Sequence, residues 1–158
     1  MKLKLSFFSL MVRVGGATAF GLFLAFIVQV RPIQAATCTF ASVGTDDFNT
    51  AANWDCGFVP GATSTAVIPM ATSTSLSAEA TVSDLLINTN ATFTTTGFAL
   101  NVFNNTTSSG ALIAGSNTST FGNDWEIAGT GSFTPGTGTV VFSSSTYGAW
   151  IRSSGDLT

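Results

Sequence analysis

Few side chains in this sequence could do chemistry, and most of those are acids. Cys38 and Cys56 are the only thiols, the carboxylates are Asp46, Asp47, Asp55, Glu79, Asp84, Asp124, Glu126 and Asp156, and there is no histidine. Without imidazole there is no Ser-His-Asp triad, no imidazole base and no His-ligated zinc. No lysine follows Lys4, so a Schiff-base or P-loop lysine is absent beyond it. Asp124 and Glu126 flank Trp125 with the alternation of a strand and so share one face. Two carboxylates ~7 Å apart on one strand could serve glycoside hydrolysis. This pair has no surrounding aromatic or basic partners, so the expectation is a solvated face. Asp46, Asp47 and Asp55 could join backbone carbonyls around calcium, but no D-x-[DN]-x-[DN]-G loop is present, and a solvated loop is expected. Neither a cofactor nor a metal is expected.

The charges are segregated. Lys2, Lys4, Arg13 and Arg31 lie at the start, and after Ala36 a single base, Arg152, faces all eight acids, a formal charge of −7 over 122 residues. Such a segment cannot neutralise a phosphate backbone, and no nucleic-acid partner is expected. An enzyme acting on acidic polysaccharides needs several bases against its substrate's carboxylates, and Arg152 alone does not supply them.

The basic start precedes an apolar run from Val14 to Val30 and then Arg31-Pro32-Ile33-Gln34-Ala35-Ala36. Pro32 stops the helix, and Ala35 or Ala36 supplies the small residue of a cleavage site. This is the order of a secretory signal, residues 1–36, so the membrane is met only during export. An uncleaved anchor is the alternative, although the run falls short of the roughly 20 residues needed to span a bilayer. In an exported chain the pair Cys38 and Cys56 reads as one disulfide closing a 19-residue loop. A two-cysteine metal site would lack histidine partners.

After Thr37 no stretch has helical periodicity. Short apolar knots begin at Ala66, Leu85, Phe98, Ala111, Trp125, Val140 and Trp150, with Thr, Ser, Asn and Gly between them. Strands at such near-regular spacing indicate an all-β fold. A right-handed parallel β-helix with coils of roughly 20–25 residues competes with a β-sandwich. Three features favour the β-helix. No Asn-Gly or Asp-Gly hairpin signal occurs, asparagines such as Asn88, Asn90, Asn101, Asn104, Asn105 and Asn117 could stack in ladders, and charge is sparse. Phe40, Phe48, Phe93, Phe98, Phe103, Phe121, Phe133 and Phe142 are expected in the core of successive coils.

Two stretches carry a resemblance. Cys38 followed by Asn53-Trp54-Asp55-Cys56-Gly57-Phe58-Val59-Pro60-Gly61 and then Ala66-Val67-Ile68 resembles the opening of bacterial adhesin-like or autotransporter-like surface proteins with β-helix repeats. Gly131 to Phe142 is similar to their repeat unit, Gly-x-Phe-x-x-Gly-x-Gly-x-Val-x-Phe. Together these cover about 40 of the 122 residues after Ala36. Family members usually carry Gly and Asp before the first strand; Ala62-Thr63-Ser64-Thr65 has neither, which weakens a calcium site carried over from the family. Asn90, Asn104, Asn105 and Asn117 open Asn-x-Ser/Thr sequons, which chance explains in so Asn- and Thr-rich a chain.

The block also has a physical reading. Asn53 and Gly57 suit a turn, Trp54 covers the open end of the first coil, the Cys38–Cys56 bond pins that cap, and Pro60-Gly61 turns the chain into the first strand. The expected organisation is a signal over 1–36, a disulfide-pinned cap over 37–62, and solenoid coils over 63–158, truncated at the C-terminal end. The expected function is that of an exported, cell-surface structural or adhesive protein without catalysis, whose partners would be host or environmental glycans or surface proteins. Two other readings stand beside it: a carbohydrate-binding β-sandwich with Trp125 or Trp150 as platform, and the N-terminal part of a polysaccharide-degrading β-helix enzyme.

Overall fold

The computed structural model describes residues 35–41, 46–144, 150–154 and 156–157. The predicted export signal, apart from Ala35 and Ala36, lies outside them. The chain divides into two units, Met1–Arg31 and Pro32–Thr158, and the strands among the described residues lie in the second. That unit opens with β1 (Thr37–Thr39) and an irregular segment holding a 3-10 turn at Ala51–Asn53. Coils of three short strands follow. The first contains β2 (Thr65–Ile68), β3 (Ser73–Ser75) and β4 (Ala80–Val82), and the second β5 (Asp84–Ile87), β6 (Thr92–Thr94) and β7 (Leu100–Val102). The third contains β8 (Thr106–Ser108), β9 (Ala111–Ile113) and β10 (Ser119–Phe121), and the fourth β11 (Trp125–Ile127), β12 (Ser132–Thr134) and β13 (Val140–Phe142). β14 (Ile151–Ser153) and β15 (Asp156–Leu157) begin another turn.

Equivalent strands of successive coils pair side by side. They build a six-stranded sheet β1-β2-β5-β8-β11-β14, a five-stranded sheet β3-β6-β9-β12-β15 and a four-stranded sheet β4-β7-β10-β13. Every strand pair is parallel. The fold is a parallel β-solenoid of about four turns, and the β-sandwich alternative is overturned. The rungs are 19 to 21 residues apart: Thr65 pairs with Asp84, Leu85 with Thr106 and Thr106 with Trp125. The step from Trp125 to Ile151 is longer, 26 residues. The inter-strand hydrogen bonds therefore run along the direction in which the coils stack.

Alternation along each short strand turns one or two side chains inward. Those side chains stack in columns from coil to coil: Phe93, Leu112 and Phe133 in one, Val102, Phe121 and Phe142 in another. The third coil is the polar one. Thr106, Ser108 and Ser119 are buried where the second coil has Leu85, Ile87 and Leu100. Their small volume makes room for larger neighbours. Trp125 sits below Thr106, stacked on Phe121 at 4.4 Å and edge-on to Phe133 at 4.7 Å. Among the described residues, Thr106 Oγ1, Ser119 Oγ and Trp125 Nε1 are buried without a hydrogen-bond partner. Each such group costs about 1–3 kcal/mol, set against the large apolar area an indole buries. Three of the phenylalanines expected inside are exposed, Phe142 among them at 37 %. Phe98 and Phe103 are 36 % and 56 % exposed, because they flank β7, whose inward positions are Leu100 and Val102.

The glycine-punctuated unit acquires a steric explanation here. Phe133, Val140 and Phe142 are the inward residues of β12 and β13, stacked under Leu112, Ser119 and Phe121. At Gly131, Gly136 and Gly138 the backbone of the third coil lies so close that a Cβ would collide with the carbonyl oxygens of Ser108, Gly115 and Asn117. Gly138→Ala is therefore expected to cost about 1–3 kcal/mol in urea unfolding, as overpacking does. Gly61→Ala, where a Cβ meets open space, should shift stability by no more than about 0.5 kcal/mol.

Candidate functional site

The cap over the first coil is the most heavily built part of the molecule. Cys38 and Cys56 form a disulfide with Cα atoms 5.3 Å apart. Trp54 is 3 % exposed; its ring meets Phe40 at 5.2 Å and Phe48 at 4.8 Å, both edge-on, and its Nε1 donates to the Phe48 carbonyl at 2.7 Å. Phe48 in turn packs on Phe93 of the second coil at 5.4 Å. Asn53 is buried and donates through Nδ2 to the Asp47 carbonyl. Gly57 has a φ of 75°, the left-handed region in which a side chain is strained. Pro60 is buried, and the Gly61 carbonyl accepts the Ser64 N–H in the turn that leads into β2.

The same segment covers the upper edges of the six- and five-stranded sheets, which would otherwise present unpaired backbone. On the six-stranded sheet, β1 pairs with β2, and residues 53–55 bond antiparallel to its outer side: Ala41 N–H to the Asn53 carbonyl, Asp55 N–H to the Thr39 carbonyl, Thr39 N–H to Asp55 Oδ1. On the five-stranded sheet, Ser75 exchanges backbone bonds with Asp46 and Phe48. Ahead of β4 the cap holds the connecting turn: Asn49 Oδ1 accepts the N–H groups of Ser77 and Ala78, both at 3.0 Å.

Asp47 orders this cap. Burial works to raise its pKa, but hydrogen bonds from the Ser77 hydroxyl, the Asn49 N–H and the Thr50 hydroxyl outweigh it and hold the carboxyl below its ordinary value of 3.8. Because folding lowers this pKa, its stabilisation is present in full above the ordinary value and is lost as pH falls through the folded one. Asp47→Asn is therefore expected to flatten the acid limb of the stability curve below about pH 4, read from unfolding midpoints in acid and at neutrality.

The outer faces of the four- and five-stranded sheets carry neutral, hydroxyl-rich columns. Thr81, Asn101 and Thr120 form one outward column, Ser73, Thr92, Ala111 and Ser132 another. The expected asparagine ladder exists only in part, mixed with aspartate. Asp84 Oδ1 accepts the Asn105 N–H, Asn105 Oδ1 the Asp124 N–H, and Asp124 Oδ1 the Trp150 N–H, at 3.2–3.4 Å. The wall is broken at one corner. Four residues lie between the equivalent positions Ile87 and Thr92, but only two between Ser108 and Ala111, so the third coil lacks two residues there. The shortfall leaves a notch of about 200 Å³ between Asn90 above and Thr130 below, with Thr92, Ser109 and Ser132 on its sides. No local apolar or charge pattern marks it in the sequence; only the register between coils does.

The remaining candidate groups are not brought together. The carboxylates of Asp47 and Asp55 accept backbone N–H groups of the cap, Asp46 offers its carbonyl to Ser75, and among the described residues no three His, Cys, Asp or Glu gather to hold a metal. Asp124 and Glu126 are both exposed on the wall, Asp124 as a rung of the ladder. Trp125 between them is buried, because strand alternation turns it inward, and so offers no platform. Trp150 is 60 % exposed, with the Arg152 guanidinium 5.8 Å from its ring. Comparison of the chain with known protein families, characterised proteins and solved structures found no match.

Proposed function

We propose that this chain is an exported cell-surface β-solenoid with a structural or adhesive role and no catalysis, of the adhesin-like kind its opening block resembles. The observation that carries this reading is the pairing of a disulfide-pinned aromatic cap with long walls of neutral hydroxyl and amide side chains. The disulfide suits an oxidising, extracytoplasmic compartment. The walls present hydrogen-bonding groups by repetition, as solenoid surfaces do. The notch between Asn90 and Thr130 is a concave polar part of that wall, and its neutral lining suits the hydroxyls of an uncharged saccharide. The test is adhesion of beads coated with the Pro32–Thr158 unit to surfaces bearing neutral glycans or extracellular matrix proteins, with the glycans analysed afterwards. Saturable binding that resists salt and leaves the glycans intact is expected. Absence of binding would overturn the adhesive reading, and cleaved glycans would overturn the non-catalytic one.

A further inference from the structure

Three of the four three-stranded coils turn the corner between their first two strands with four residues: 69–72, 88–91 and 128–131. The third coil does it with Ser109 and Gly110 alone. Register holds on both sides of the corner, so the deficit is concentrated there. Gly110 makes the short cut possible: a Cβ there would come within 2.4 Å of the Ala91 carbonyl oxygen and 2.5 Å of that of Asn88. The turns above and below are closed alike, Ala91 N–H on the Asn88 carbonyl and Gly131 N–H on the Ala128 carbonyl. They belong to coils two rungs apart, about 10 Å at the ordinary strand spacing. Contact distances of about 3.5–4 Å to each side leave a single layer of atoms between them. The notch is thus a slot one coil high.

We propose that this slot binds one hexose ring of a neutral glycan, lying parallel to the coils. The inference rests on the adhesive reading and assigns its point of contact. A volume of about 200 Å³ is below the roughly 300–1,000 Å³ of a pocket for a drug-sized ligand, which limits the occupant to one ring. Among the described residues no charged side chain lines the slot, so an ionic ligand would find no partner for its charge. No aromatic lines it either, so a flat aromatic ligand would have nothing to stack on. What the slot offers is the Asn90 amide and the hydroxyls of Thr92, Ser109, Thr130 and Ser132. Each both donates and accepts, and a hydroxyl rotates to suit its partner, which matches the hydroxyls of a saturated sugar ring. The Thr130 hydroxyl reaches the Ser109 carbonyl only at 3.5 Å, a long bond that a ligand hydroxyl can replace.

The Pro32–Thr158 unit, which carries the described strands, the core cluster and the disulfide, is titrated with free glucose, galactose, mannose and N-acetylglucosamine. Galacturonic acid is the charged control, and amide resonances are followed by NMR. At least one neutral sugar should shift the Ala91, Gly110 and Thr130 amides together, with a Kd of about 1–10 mM, as suits a small polar site. Inserting two residues between Ser109 and Gly110 restores the turn length of the other coils, closes the slot and should abolish the shifts. Asn90→Gly keeps the left-handed turn, φ 59°, but removes the amide, and should weaken binding about three- to tenfold. It decides the matter if the insertion unfolds the chain, which circular dichroism checks. Asn101→Ala, in the outward column of the four-stranded sheet, should change nothing. Slot amides that no sugar moves would overturn the proposal. So would shifts that persist in both slot variants, or tighter binding of galacturonic acid. Bead adhesion separates this from the parent reading: adhesion that survives the insertion overturns the slot alone, whereas no adhesion by the native unit overturns the adhesive role even if free sugars bind.

Discussion

Trp54→Ala is expected to lower the unfolding free energy by about 3–5 kcal/mol, the usual cost of emptying a buried tryptophan site. The indole is the keystone between Phe40 and Phe48, and Phe48 is what carries the aromatic contact on to Phe93 in the second coil. Removing it opens a void over the first coil. It also takes the donor from the Phe48 carbonyl, which Trp54 Nε1 meets at 2.7 Å. Trp54→Phe separates the two effects: it keeps a ring and loses the donor, and should cost only about 1–3 kcal/mol. Denaturant unfolding followed by circular dichroism measures both. If Trp54→Ala fell within 1 kcal/mol of the parent, closure of the core would have to be assigned to other residues.

Loss of the Cys38–Cys56 bond is expected to cost about 3 kcal/mol, because it frees a 19-residue loop in the unfolded chain. For a domain of this size that corresponds to a fall in Tm of about 10–15 °C. The clean comparison is the double variant Cys38→Ala with Cys56→Ala. Serine at position 38, which is fully buried, would add an unpaired hydroxyl to the measured loss. The two large effects should not add. Trp54 lies inside the loop that the disulfide closes, so once the indole is gone the bond constrains a segment that no longer packs well. The triple variant is expected to lose less than the sum, by at least about 0.5 kcal/mol.

The parallel solenoid was legible where its inward residues are apolar. The knots at Ala66, Leu85, Ala111, Trp125 and Val140 coincide with β2, β5, β9, β11 and β13. It was illegible at β3, β8 and much of β10, where the buried residues are Thr74, Thr106, Ser108 and Ser119. A hydroxyl inside a solenoid gives no hydropathy signal; its burial is decided by the coils above and below. The same cause hid the inward turn of Trp125, which reads in sequence as an aromatic between two acids. Trp54 was more legible, because a tryptophan beside a cysteine and before Pro-Gly has few structural roles open to it. The notch is at the other extreme: it arises from two residues missing relative to a neighbouring coil, and only the pairing of Thr92 with Ala111 makes that deficit countable.

The direction of the hydrogen bonds has a mechanical consequence. Since they run along the stacking direction, a pull along that direction loads one rung at a time, as in unzipping, instead of shearing many together. Each coil of 19–21 residues that lets go releases up to roughly 70 Å of chain. The crosslinked loop between Cys38 and Cys56 cannot lengthen in that way. Under tension along the stack the molecule would therefore yield stepwise, dissipating work coil by coil, while its capped tip kept its shape.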